Sequence, residues 1–167
     1  MRFEIERKFL VADGAWRAAA TGFRSLRDGL IGQFEAGKVR VRLDGGRAWL
    51  TVKGARAGLS RTEFEYEVPR AHGEAMLAEV CVGRILEKTR WCVPHEGLSW
   101  EVDVYGGTLA GLVLAEVELE REDQPFARPA WLGQEVTGDP RFRQSALLRL
   151  GESGRPLSAE AILASAA

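Results

Sequence analysis

The sequence predicts a mainly β, α+β fold: antiparallel strands closed into a barrel or packed as a sandwich, with helices outside. Two observations carry this. Runs with period-two alternation dominate the chain, at roughly 2–11, 23–33, 38–44, 47–53, 61–68, 85–93, 98–105 and 112–121. Gly-rich or polar turns such as "DGGR" and "GARAGLS" separate several of them, and helical spacing is confined to a few short stretches. The 167 residues, 46% hydrophobic and 28% charged, suffice for one domain, 1–167, with a substantial core.

Each element has its own signal. In "MRFEIERKFLV", Glu4, Glu6 and Lys8 share one face, and Phe3, Ile5, Arg7 and Phe9 the other. "DGAWRAAA" follows as a helix that Asp13 can cap. In "KVRVRL" Arg40 and Arg42 oppose Val39, Val41 and Leu43, and in "WLTVKG" Lys53 shares a face with Thr51. In "RTEFEYEV" Arg61, Glu63, Glu65 and Glu67 oppose Phe64, Tyr66 and Val68. "AHGEAMLAEVCVGR" places Met76, Leu77 and Val80 at helical spacing. Lys88 and Arg90 align in "EKTRWCV", and Cys92 shares their parity, which would put it on the same face. Glu101 and Asp103 align in "WEVDVY", as do Glu116, Glu118 and Glu120 in "LAEVELE". "WLGQEVTGDPRF" suits a lid or packing element, and Trp91, Trp100 and Trp131 suit packing outside the sheet. "GDPRFRQSALLRL" starts a helix, with Asp139 to cap and Pro140 at the first position. "PLSAEAILASA" can form a last helix capped by Ser158, either closing one mouth of a barrel or packing outside it.

Antiparallel sheets commonly turn an apolar face to the core and a charged face to water. The joint pattern here favours a different arrangement. Acids concentrate on the first, seventh and eighth strands and bases on the third and sixth. A sheet closed with these faces inward would enclose a tunnel lined with both signs. Desolvating such charges is costly unless ligands neutralise them. A dication relieves the acids, and a multiply charged anion such as a phosphate chain relieves the bases. Residues two apart on a strand stand about 6.5–7 Å apart. Glu4 and Glu6 can then point at one cation, with Glu118 reaching it from another wall. Arg40, Arg42, Lys88 and Arg90 can grip phosphates, the arginines bidentately.

Composition sets further bounds. A formal net charge of −1 gives no basic footprint, so no nucleic-acid partner is expected. No apolar run approaches spanning length and charges begin at Arg2, so neither membrane nor signal peptide is expected. Cys81 and Cys92 make no disulfide framework and fit a reducing cytoplasm. With only His72 and His95, any metal would be held by carboxylates, which favours Mg²⁺ or Mn²⁺.

"EIERK" resembles the ExExK signature of the CYTH superfamily, the triphosphate tunnel metalloenzymes. "VRVRL", "LTVKG", "RTEFEYEV", "EKTRW", "WEVDVY", "GLVLAEVELE" and "WLGQEVTGD" follow in the family's order, so the resemblance covers nearly the whole chain. It is nearest to the small bacterial members that hydrolyse inorganic triphosphate. The resemblance implies an eight-stranded antiparallel closed barrel around a charged tunnel, helices packed outside, and Mg²⁺ or Mn²⁺ as cofactor. It implies metal binding by Glu4, Glu6 and Glu118, with Glu116 beside them and Asp103 in the same acidic wall. It implies phosphate binding by Lys8, Arg40, Arg42, Lys53, Arg61, Lys88 and Arg90. Glu63 and Glu65 would order a second metal or the attacking water, and Lys53, among other cations, would lose basicity and share in proton transfer.

One segment departs from the family. Where many members carry "QGYL", this chain has "DGLI", Asp28 to Ile31, so Leu30 replaces the tyrosine thought to pair with the lysine matching Lys53. The expected activity is metal-dependent hydrolysis of a small-molecule triphosphate, inorganic triphosphate first, by a monomer or homodimer. The alternatives are a nucleoside or thiamine triphosphatase, an adenylate cyclase, or a polyphosphate- or nucleotide-binding module without turnover.

Overall fold

The computed structural model describes residues 2–81, 83, 85–152 and 158–164. Among them run nine strands: β1 (Arg2–Val11), β2 (Gly22–Phe34), β3 (Gly37–Asp44), β4 (Arg47–Gly54), β5 (Ser60–Val68), β6 (Ile85–His95), β7 (Leu98–Tyr105), β8 (Val113–Glu118) and β9 (Leu132–Glu135). Eight of them close a ring in the order β5-β4-β3-β2-β6-β7-β8-β1, sealed by a β5–β1 pairing. Every ring pairing is antiparallel. The expected eight-stranded closed barrel is therefore present, and closure leaves it few free edges.

The ninth strand was not expected. β5 pairs with β1 only as far as Ile5, and β9 takes up Phe9 and Val11 further along. "WLGQEVTGD" thus supplies a short strand. Trp131, Trp100, Phe9 and Trp16 belong to one buried apolar cluster on the barrel's outer side, where the tryptophans were expected to pack.

Three helices appear among the described residues: α1 (Arg70–Ala75), α2 (Gln144–Glu152) and α3 (Ala159–Ala164). "DGAWRAAA" forms only a 3-10 turn, Ala15–Ala19, with Asp13 accepting a hydrogen bond from the Ala15 N–H at 2.8 Å. α1 continues into a π-helical turn at Met76–Val80, and the expected end of this helix at 82 and 84 lies outside the described residues. Its Leu77 and Cys81 pack with Val41, Leu43 and Ala48 on the outside of β3 and β4. Asp139 accepts from the Arg141 N–H at 2.9 Å, capping a 3-10 turn just before α2. Ser158 caps α3 through the Ala161 N–H at 3.1 Å, while most of the predicted tail helix beyond Ala159–Ala164 lies outside the described residues.

The inward face changes character along the barrel. Leu10 continues the face of Glu6 and Lys8, Leu30 that of Asp28, Leu86 that of Lys88, and Leu114 that of Glu116. These leucines form one buried cluster with Tyr105, Phe142, Leu147, Leu148 and Ile162. The C-terminal helices therefore fill one end of the barrel. The open choice between capping a mouth and packing outside resolves as an apolar plug, because inward leucines need apolar partners.

Candidate active site

Beyond the plug, the barrel encloses a cavity of about 620 Å³. Its lining includes Glu4, Glu6 and Lys8 of β1, Arg40 and Arg42 of β3, Lys53 of β4, and Arg61, Glu63 and Glu65 of β5. Lys88 and Arg90 of β6 and Glu116 and Glu118 of β8 line it as well, so that every expected residue but Asp103 is present. Strand register brings these groups together. Glu6 stands opposite Glu118, Lys8 opposite Glu116, Lys53 opposite Glu63, and Arg90 opposite Asp103.

Paired in this way, the wall neutralises itself. Lys53 Nζ lies 2.6 Å from Glu4 Oε1 and 2.5 Å from Glu63 Oε2, and Arg61 Nε lies 2.5 Å from Glu4 Oε2. Lys8 Nζ reaches Glu116 at 2.8 Å, and Arg90 Nη2 reaches the same side chain at 2.7 Å. Thr51 donates to Glu65 at 3.0 Å, and Arg40 Nη2 approaches Glu65 only to 3.7 Å. Although burial works against its charge, Lys53 and Arg61 hold the Glu4 carboxyl down to about 2. Against the same penalty, Lys8 and Arg90 hold Glu116 well below the usual carboxylate range. Glu6 goes the other way, because burial and then Glu116 push it up.

Asp103 does not line the cavity. It is fully buried, and its carboxylate receives Lys88 at 2.6 Å and Arg90 at 2.7 and 2.6 Å. In this arrangement the expected metal ligand is a counter-ion beneath the cations, with both oxygens held by Lys88 and Arg90. Cys92 is exposed and 3.1 Å from the Ser99 hydroxyl, outside the cavity despite its parity.

Sequence reasoning missed several lining residues. Asp28 is buried and accepts from Arg42 Nε at 2.6 Å and Nη2 at 2.9 Å, with Lys88 3.6 Å away. Lys38, Arg24, Glu101 and Tyr105 also line the cavity. Lys38 was legible, because it opens "KVRVRL" in the parity of Arg40 and Arg42. It is also the lysine that cations crowd. Burial, then Arg61, Lys53 and Arg40, draw it down to about 7. Lys53, across the ladder from it, sits between two carboxylates.

The acids of β1 and β8 offer oxygen ligands suited to a hard dication. Among the described residues, no three carboxylate, imidazole or thiol groups are gathered closely enough to hold a metal as they stand. Glu4 and Glu116 are turned to lysine and arginine instead. Glu6 is raised by burial and then by Glu116, and Lys8 comes no nearer to it than 3.8 Å. A cation at this wall would relieve it, so the residues fit the group.

Comparison with known proteins agrees with this architecture. The chain is 42% identical over 146 residues to an inorganic triphosphatase of Acetivibrio thermocellus, covering 87% of this chain and 93% of that protein. It is 41% identical over 152 residues to an inorganic triphosphatase of Nitrosomonas europaea, covering 86% and 95%. A crystal structure of an inorganic triphosphatase superposes with a TM-score of 0.62 at 36% identity, covering 89% of this chain and 95% of the other. With the CYTH domain matching residues 2–146, well over half its length, the chain belongs to the CYTH domain family.

Proposed function

We propose that this protein is a metal-dependent phosphohydrolase that cleaves the terminal phosphoryl group of a triphosphate, inorganic triphosphate above all. The observation that carries the proposal is a single cavity in which Lys8, Arg40, Arg42, Lys53, Arg61, Lys88 and Arg90 converge beside the β1–β8 acids. A linear phosphate chain supplies the anionic oxygens that this many donors require. The curated relatives named above, both inorganic triphosphatases, support the same substrate.

The acids that now hold the cations compete with substrate for them. Phosphate oxygens would replace Glu4 and Glu63 on Lys53, Glu4 on Arg61, and Glu116 on Lys8. Glu4 and Glu116 would then turn toward Glu6 and Glu118, and these four would hold Mg²⁺ or Mn²⁺. When bound, the metal neutralises charge on the phosphate oxygens. Glu63 and Glu65 of β5 order the attacking water, and Lys53 binds substrate with a secondary part in proton transfer. The chain acts as one domain, because the C-terminal helices complete the barrel interior. Two free cysteines, Cys81 and Cys92, support a reducing cytoplasm as its place of action.

The test is phosphate release at saturating Mg²⁺ or Mn²⁺ from inorganic triphosphate, nucleoside triphosphates and thiamine triphosphate. Inorganic triphosphate should turn over fastest, and Glu6→Ala or Glu118→Ala should abolish most turnover while the fold survives. Binding without release from any of these compounds would leave a ligand-binding module and refute the enzyme.

A further inference from the structure

One corner of the cavity has more donors than acceptors. Lys8, Arg42, Lys53, Arg61, Lys88 and Arg90 each have a carboxylate within 3 Å. Lys38 has none among the described residues, and its Nζ meets only Gln144 Oε1 at 3.4 Å. Directly across the β3–β4 ladder stands Lys53, another cation, an opposition that destabilises a strand pair. Arg40, next along the same face, is nine-tenths buried; its Nη2 donates to Thr51 at 3.2 Å, but its Nε has no hydrogen-bond partner. Gln144 Nε2 is likewise buried and unpartnered. All three side chains line the cavity, where α2 and the apolar plug meet β3. Orphaned donors of this kind are rare in native proteins and call for a ligand.

We propose that Lys38, Arg40 and Gln144 form an anion subsite that takes a terminal, unesterified phosphate group of the substrate. The three donor groups match the three free oxygens of such a group. Phe142 and Leu147 of the plug also line the cavity. The proposal rests on the reading of the substrate as a linear phosphate chain, and adds two residues, Lys38 and Gln144, to its binding.

The subsite is also pH-sensitive. Lys38 faces Arg40 on its own strand, Lys53 from β4, Arg61 from β5 and Lys8 from β1, with Gln144 from α2. Burial and these cations draw it down to about 7 in the free protein. It carries its charge below that pH and loses it above, so anion affinity should fall as pH rises through neutrality, by up to about tenfold per unit.

The test is calorimetric binding of inorganic triphosphate in chelator, where no turnover competes, to wild type, Lys38→Met, Lys38→Arg and Gln144→Glu between pH 6 and 8.5. Circular dichroism confirms the fold of each variant. At pH 6 Lys38→Met and Gln144→Glu should bind roughly tenfold or more weakly than wild type. Lys38→Arg should keep wild-type affinity at pH 6 and exceed wild type at pH 8.5, because arginine stays charged. Titration of the ligand itself is common to all four proteins and cancels in the ratios. Lys38→Met and Gln144→Glu within twofold of wild type, a Lys38→Arg ratio independent of pH, or no binding by wild type would each overturn the subsite. Failure of the triphosphatase reading is separate: it shows as absent phosphate release by wild type with metal, whatever the binding in chelator.

Discussion

Two carboxylates in the same cavity show how partners decide a side chain's worth. Glu4 lies between Lys53 and Arg61, whereas Glu6 lies near Glu116 with Lys8 3.8 Å away. Glu4→Ala therefore strands Arg61 and leaves Lys53 with Glu63 alone, and should cost roughly 3–5 kcal/mol in urea unfolding with chelator present. Glu6→Gln removes an acid that burial and Glu116 disfavour, and should leave the midpoint unchanged or raised, although both variants lose turnover. Simple relief of carboxylate repulsion thus applies to Glu6 and not to Glu4. Asp28 gives a pH test. Arg42, then Arg40, outweigh burial and hold its carboxyl well below 3.8. A depressed folded value means its stabilisation is complete above the ordinary carboxylate range and is lost as pH falls below it. Acid unfolding of wild type should steepen below about pH 4, and Asp28→Asn should flatten that limb while lowering stability at pH 7.

At the scale of the element, the "DGLI" segment serves two surfaces at once. Gly29 faces outward, where a Cβ would come within 2.5 Å of Leu77 Cδ2 and 2.7 Å of Cys81 Sγ. The helical segment Arg70–Val80 packs on β2 only because no side chain intervenes, and Gly29→Val should cost roughly 1–3 kcal/mol by thermal melting. Leu30 faces inward into the cluster that holds Leu10, Leu86 and Tyr105. Its replacement of the family tyrosine therefore belongs to the plug. Leu30→Tyr should lower stability by a similar amount, and a gain in kcat without that loss would show the plug to be loose. Leu147 ties the same cluster to α2 and is 1% exposed. Leu147→Ala should cost roughly 2–5 kcal/mol by the cavity it leaves.

For the whole molecule, a near-neutral total charge hides a strongly divided interior. Among the described residues eleven cations line one cavity, and most are held by the protein's own acids. Substrate must exchange with internal partners, so it should bind the folded state alone. Inorganic triphosphate at a hundred times its dissociation constant should stabilise the protein by about 2.7 kcal/mol. Sodium chloride at matched ionic strength should not raise the melting midpoint, and an equal rise in salt would argue for simple screening in place of a site.

The sequence by itself determined the strands and their faces. Period two assigns most inward residues, and the sorting of acids and bases onto different strands pointed to a polyanion and a cation before any strand was paired. Parity, however, says which way a side chain points and nothing of its depth or its partner. Asp103 and Glu101 share a face, yet Asp103 is buried beneath Lys88 and Arg90 while Glu101 reaches the cavity. Lys38 and Lys53 come from adjacent strands, yet the β4–β5 ladder sets Glu63 opposite Lys53 and only the closure of β5 onto β1 adds Glu4, while Lys38 is left among cations. The filling of one barrel end by α2 and α3 was likewise undecided along the chain, because an amphipathic helix after the last strand packs equally well outside. Tertiary structure settled it: inward leucines on β1, β2, β6 and β8 gather at one level, and burying them requires apolar side chains from beyond the sheet.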